Sequence, residues 1–208
     1  MKRFLLFDPK LLTYGFLIVF FASYGQTFFI SLFNESIRNH YNLTDGEFGF
    51  VYAIATTLSS FILISFAKLI DFIDLRLYSL LISLGLCLAC FGMFIFYNNF
   101  FFLFFIIFTL RFFGQGAMSH AGETTMARYF GENRGKAISV STFGGMIGVM
   151  IFPFLVVKLS NLYGFQNVWL IASLSILFFL PLIFITLNNQ LKRHTDFSQK
   201  IVKDSVFK

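Results

Sequence analysis

The chain has 208 residues and a net charge of +6; 57% of its residues are hydrophobic, only 12% are charged, and the mean hydropathy is +0.78. Soluble domains carry about 25% charged residues, so this composition excludes an ordinary water-soluble domain and predicts an integral membrane protein. The 34 phenylalanines indicate a compositional bias rather than an aromatic binding site, because phenylalanine enters bilayers about as readily as leucine.

Six stretches are long and apolar enough to cross a bilayer as helices, which takes about 20 residues each. They cover residues 11–33, 47–66, 77–97, 100–127, 137–157 and 167–187. Thr44 and Glu47 have the spacing of a capping box, which predicts the start of the second helix. The connections are short, so we expect an all-α bundle with sequence neighbours antiparallel. Residues 1–10 form a basic N-terminus, 11–187 the bundle and 188–208 a basic tail.

Lys and Arg residues are distributed asymmetrically over the loops. The termini, the second loop and the fourth loop together carry thirteen, whereas the other side has only Arg38 and Lys158. Positively charged loops stay in the cytoplasm, so both termini are predicted to be cytoplasmic, in a multi-pass protein of the cytoplasmic (inner) membrane. The positive net charge is then a topology signal, and nothing in the sequence indicates a nucleic-acid partner. The first apolar run lacks a signal-peptide cleavage site and is predicted to be the first span.

Arg111 lies inside the fourth apolar stretch. It follows Asn98-Asn99 by about eleven residues, which at 1.5 Å per residue puts it roughly 16 Å into the membrane, near the midplane. A charge at this depth is costly, so it is expected to face the bundle interior or a watery cavity. All 10 acidic residues lie in loops, tails or helix ends, so the sequence offers no acid to neutralise it.

Polar side chains recur at helical spacing near this depth. On the fourth helix Gln115, Met118, Ser119 and Gly122 fall near the face of Arg111, and on the first helix Ser23, Gln26, Thr27 and Ser31 form a second strip. Two strips at one depth predict a shared aqueous cavity. The candidate substrate-binding residues are Arg111, Gln115, Gln26, Ser23, Thr27 and Tyr24.

Two interpretations of Arg111 remain open at this point. A structural role would have it hydrogen-bonded to neighbouring carbonyls or to Gln26. A functional role would have it bind an anionic substrate, because a guanidinium suits bidentate recognition of carboxylate or phosphate.

Several motifs resemble those of the major facilitator superfamily. The fourth helix carries Arg111 followed by Gly114, Gly116 and Ala117, and the second loop keeps Asp71 and Arg76 of the family pattern. The fourth loop, "ARYFGENRGKA", and the start of the second helix, "YNLTDGEFGFVYA", are also similar to family patterns. The resemblance implies one six-helix half of a twelve-helix fold, with the first and fourth helices of each half lining a central cavity and alternating access between the halves.

Charged residues gather at the cytoplasmic ends of the second to fifth helices. They are Asp71, Arg76, Glu123, Arg128 and Arg134. Solvated loops account for them, but the resemblance also implies an inner gate in which Asp71 pairs with Arg128 or Arg134. Glu123 lies about 35 Å along its helix from Phe100, too far to carry protons at the midplane.

Enzyme and cofactor chemistry find no support in the sequence. His120 and Glu123 share a helix side but lack a third metal ligand, and Cys87 and Cys90 are interpreted as small packing residues. No nucleophile with a base is found. We therefore predict no enzyme, no cofactor and no metal site.

The sequence favours a secondary active transporter, or the N-terminal half of one, for a small solute such as an organic anion. The expected partners are membrane lipid, a coupling proton that the sequence does not place, and a second six-helix half or a second copy of the chain. The alternative is a non-transporting scaffold, subunit or decayed half-transporter. The tail resembles the linker between family halves, and the DNA after codon 208 would distinguish these readings.

Overall fold

The computed structural model describes residues 8–95 and 99–197. In this part of the chain six helices are long and apolar enough to cross a membrane, which confirms the predicted fold class. They are α1 (Pro9–Ser31), α2 (Asp45–Asp71), α3 (Leu75–Ile95), α4 (Phe100–Tyr129), α5 (Gly131–Tyr163) and α6 (Phe165–Thr186). The predicted end of the third span at Tyr97, the N-terminal segment before residue 8 and the tail after residue 197 lie outside the described residues.

Polar caps set the ends of several helices. Asp8 accepts a hydrogen bond from the Leu11 amide and is followed by Pro9, which suits the first turn of α1. The capping box before α2 is confirmed: Thr44 Oγ1 accepts from the Glu47 amide at 3.2 Å, and Glu47 Oε2 accepts from the Thr44 amide at 2.8 Å. Between α1 and α2 a short helix, Asn34–Tyr41, ends at Asn42 in the left-handed region.

Helix α1 lies at the centre of the bundle. It contacts α4, α5 and α6, while α3 packs against α4 and α6, and α2 packs mainly on α4. Small residues allow close approach: a side-chain carbon at Gly144 of α5 would lie 2.1 Å from the Phe16 carbonyl oxygen of α1. This close packing holds the central helix tightly against its neighbour.

The outward surface is strongly apolar. Phe61 of α2, Phe154 of α5 and Phe178 of α6 are 67%, 69% and 81% exposed, as lipid-facing side chains would be. The chain is therefore a multi-pass membrane protein. We call the end of the bundle where α1 begins and α6 ends the basic end. After it, residues 190–197 form a short tail helix.

Candidate substrate site around Arg111

Helix α4 changes its winding at the predicted site. Residues Phe100–Leu110 are α-helical, Arg111–Met118 form a π-helical segment, and Ser119–Tyr129 return to α-helix. π-helical insertions occur often at functional sites. Arg111 is the first residue of this segment.

Helix α1 breaks at the same level. Its α-helix ends at Ala22, Ser23–Gly25 form a 3₁₀ turn, Gln26 is extended and Thr27–Ser31 resume the helix. Gly25 meets Gly114 of α4 so closely that a side-chain carbon on Gly114 would lie 2.6 Å from the Gly25 Cα. The two irregular segments thus touch backbone to backbone.

The break in α1 corrects one prediction. Ser23, Gln26, Thr27 and Ser31 do not form one continuous helical strip. The prediction from helical spacing required an unbroken helix. The break lies at a contact with another span, which the spacing of residues within α1 does not show.

Arg111 is held by neutral oxygen atoms from two other helices. Its Nη1 donates to the Gly25 carbonyl oxygen and to Thr27 Oγ1, both at 3.1 Å, and its Nε donates to Thr56 Oγ1 at 3.2 Å. The guanidinium carbon also lies 5.2 Å from the centre of the Tyr52 ring. Arg111 is 5% exposed. Part of the structural interpretation is therefore correct, because a neighbouring carbonyl is one of its partners.

The positive charge is not neutralised within the described residues. None of their carboxylates forms an ion pair with Arg111. The Nη2 nitrogen makes no hydrogen bond to a described residue. The hydrogen bonds orient the guanidinium and leave it cationic, since arginine does not lose its proton in proteins.

A small cleft of mixed polarity adjoins Arg111 between α2 and α4, with a volume of 120 Å³. It is lined by Arg111, by the polar residues Thr56, Ser59, Ser60 and Gln115, and by Leu63, Phe112 and Gly116. Gln115 is exposed and lines this cleft together with Arg111. The space next to the charge therefore lies towards α2 rather than towards α1.

The remaining candidates divide into near and distant residues. Thr27 bonds Arg111 directly, and Gln26 Nε2 donates to Ser119 Oγ of α4 at 3.4 Å. Ser23 is buried against Gly148 of α5. Tyr24 points to α6, where its hydroxyl lies 2.8 Å from Ser175 Oγ. The structure brings Thr27 to Arg111 but not Ser23 or Tyr24.

Helix α2 supplies side chains around Arg111 that were not predicted from the sequence. Tyr52 and Thr56 contact Arg111, and Ser59 and Ser60 line its cleft. The signal was present as the polar run Thr56-Thr57-Leu-Ser59-Ser60 inside an apolar span. Such a run in the middle of a membrane helix needs polar neighbours.

The charged residues of the predicted gate lie at the basic end. Arg128 of α4 forms an ion pair with Asp71, and its guanidinium carbon lies 5.8 Å from the Phe197 ring centre. Arg76 Nε donates to the Leu187 carbonyl oxygen at 3.0 Å, which ties the start of α3 to the end of α6. Glu123 and Arg134 are exposed, and neither forms an ion pair with another described residue.

The chain was compared with known protein families. A family model described as Major Facilitator Superfamily matches residues 15–206. The chain belongs to the major facilitator superfamily. No curated protein and no solved structure gave a match. This superfamily is one of membrane transporters rather than enzymes, and the six spans are consistent with one half of its fold.

Proposed function

We propose that this major facilitator chain is a secondary active transporter, or one half of one, that moves a small organic anion by alternating access. The observation that carries the proposal is the orientation of Arg111. Neutral oxygens hold the guanidinium in place, no described acid neutralises it, and a cleft lined partly by hydroxyl and amide side chains lies beside it. An incoming carboxylate or phosphate would supply the missing negative charge.

A second six-helix unit would complete the site. Only 11% of the 18-residue apolar stretch that identifies α2 as a span is buried within the bundle. The same helix lines the cleft beside Arg111. The exposed residues Thr57, Ser60 and Gln115 lie on spans that would otherwise contact lipid. Polar side chains at membrane depth usually face protein or water. A second half, or a second copy of the chain, would cover this face and enclose the cleft.

The ion pair between Asp71 and Arg128 supports a gating role at the basic end. It connects the end of α2 to the end of α4. If the two ends separate when the site opens inward, the pair breaks and reforms once per cycle. A coupling proton is part of the proposal, with no residue assigned to carry it. The protein would act in the cytoplasmic membrane with its basic end in the cytoplasm.

A non-transporting scaffold or subunit is the competing function, and uptake measurements separate the two. Proteoliposomes would contain the chain alone, or the chain with any product encoded directly downstream. They would be offered radiolabelled mono- and dicarboxylates, organic phosphates, neutral sugars and cationic amines. We expect at least one anion to accumulate above protein-free vesicles. Uptake restricted to neutral or cationic solutes would refute the anion assignment, and no uptake of any class would favour the scaffold.

A further inference from the structure

A large cavity lies at the basic end, away from the cleft at Arg111. Its volume is 1030 Å³. Its walls are the start of α1, the turn between α4 and α5, and the tail helix of residues 190–197. No part of the proposed transport site lies in it apart from Arg128 and Arg134 of the predicted gate.

Specific contacts build the walls of this cavity. Arg193 of the tail helix binds Asp8 with two hydrogen bonds, Nε to Oδ2 at 2.7 Å and Nη2 to Oδ1 at 2.9 Å. Gln190 Nε2 donates to the Tyr129 hydroxyl at 2.7 Å at the end of α4. The tail helix is thus attached to both the first and the fourth span, so the cavity has defined sides.

The cavity has an excess of positive charge. Lys10, Arg134 and Lys192 line it, are exposed, and form no ion pair with any described residue. Arg128 and Arg193 also line it but are paired with Asp71 and Asp8.

Acidic residues balance the excess only in part. Among the described residues the lining also contains Glu132 and Asp196, which form no ion pair. With Arg128 and Arg193 already paired, two free carboxylates therefore face three free cations. Asn133, Asn188 and Asn189 line the same space, and their side-chain amides can donate hydrogen bonds. Three uncommitted cations with amide donors around one cavity form an environment that favours an anion with several oxygens.

We propose that this cavity binds a phosphate group, carried either by the headgroup of an anionic lipid or by a soluble phosphate compound. The cavity begins at the first residues of α1 and the last residues of α4, which are ends of two membrane spans. Lipid headgroups are expected beside the ends of such spans. Basic pockets between spans on the cytoplasmic side are known to bind such headgroups. Lys10, Lys192 and Arg134 would contact the phosphate oxygens, and the Arg193–Asp8 pair would hold the tail helix beside them.

Lipid binding to the full chain tests the proposal without any transport measurement. The chain would be placed in nanodiscs of phosphatidylcholine with increasing phosphatidylglycerol, and retained phosphatidylglycerol counted by native mass spectrometry. In parallel, inorganic phosphate would be titrated into discs of phosphatidylcholine alone. The variants are Lys10→Gln and Lys192→Gln. The matched control is Lys68→Gln, an exposed lysine at the same end outside the cavity.

A hydrogen bond from a charged side chain directly to a phosphate oxygen contributes enough for about a tenfold change in affinity, so we expect each cavity variant to bind about tenfold more weakly. The control should bind like the wild type. Retention of phosphatidylglycerol with this lysine dependence identifies a lipid headgroup, and binding of inorganic phosphate with the same dependence identifies a soluble source. The proposal is overturned if neither ligand binds preferentially, or if Lys68→Gln weakens binding as much as Lys192→Gln.

Discussion

At the scale of single residues, the main finding is that Arg111 is buried among neutral partners. A central arginine costs at least about 2.5–3.5 kcal/mol on insertion scales. Hydrogen bonds to Gly25, Thr27 and Thr56 offset part of this cost without removing the charge. The absence of an acidic partner for Arg111 among the described residues could be predicted from the sequence, and its midplane depth stays a prediction. The partners of Arg111 on α2 could not be predicted, because hydropathy does not show which helices are neighbours.

The threonine partners provide a test of this arrangement. Thr56→Val and Thr27→Val keep the side-chain shape but remove an oxygen that accepts from Arg111. An unsatisfied buried donor costs about 1–3 kcal/mol, so each variant should unfold more easily in mixed micelles titrated with sodium dodecyl sulfate. Thr57→Val, at an exposed neighbouring position, is the control. Equal stability of all three variants would show that these hydrogen bonds contribute nothing.

The proposed gate makes a second prediction at this scale. Asp71→Asn removes the charge that pairs with Arg128 and should lower uptake of the transported solute while leaving membrane insertion unchanged. The exchanged pair, Asp71→Arg with Arg128→Asp, should restore part of the uptake. Initial rates in proteoliposomes with equal protein content measure both effects. Wild-type uptake by Asp71→Asn would argue against a gate.

At the scale of helices, the positions of the spans were predictable and their irregularities were not. Apolar length and the Thr44–Glu47 capping box placed the helices close to their observed bounds. The break in α1 at Gly25 and the π-helical segment of α4 arise where the two helices touch. A contact between distant segments leaves no periodic signal in either one, so spacing alone predicted two regular helices.

Glycine substitutions test the contact between these segments. A side-chain carbon at Gly114 would lie 2.6 Å from the Gly25 Cα, so Gly114→Ala must push the backbones apart. Overpacking of this kind costs about 1–3 kcal/mol, and a backbone obstacle leaves little room to relax. We expect a lower unfolding midpoint and a smaller monodisperse fraction in size-exclusion chromatography.

Gly49→Ala in α2 is the matched control, because nothing lies within 4 Å of the added carbon. Alanine favours a helix over glycine by up to about 1 kcal/mol, so this variant should be as stable as the wild type or more so. If Gly114→Ala were equally well tolerated, the close contact of α1 and α4 would not exist in the membrane.

At the scale of the whole molecule, six apolar helices form a bundle with a basic end and an incomplete polar face. The antiparallel order followed from the short loops and the distribution of Lys and Arg. Which helices pack against each other could not be predicted from the sequence, because each span is apolar enough that hydropathy does not single out a buried face. The central position of α1 and the exposure of α2 were therefore visible only in the structure.

Orientation in the membrane is open to direct measurement. Lys68 at the basic end and Lys158 at the opposite end are both exposed, whereas the native Cys87 and Cys90 are buried. A membrane-impermeant maleimide should label Lys158→Cys in intact cells and Lys68→Cys only after lysis, because the basic end is expected in the cytoplasm. Labelling of Lys68→Cys alone in intact cells would reverse the topology.

We propose that the uncompensated guanidinium of Arg111 recognises the transported anion. The most direct measurement compares uptake efficiency of the accumulated anion by wild type, Arg111→Lys and Arg111→Gln, with Arg38→Gln as a surface control and equal reconstituted protein. A charge-assisted hydrogen bond contributes about 1.5–3 kcal/mol, so Arg111→Gln should lose roughly 10- to 150-fold. Arg111→Lys should fall between it and the wild type. Uptake by Arg111→Gln at the wild-type level would contradict the account.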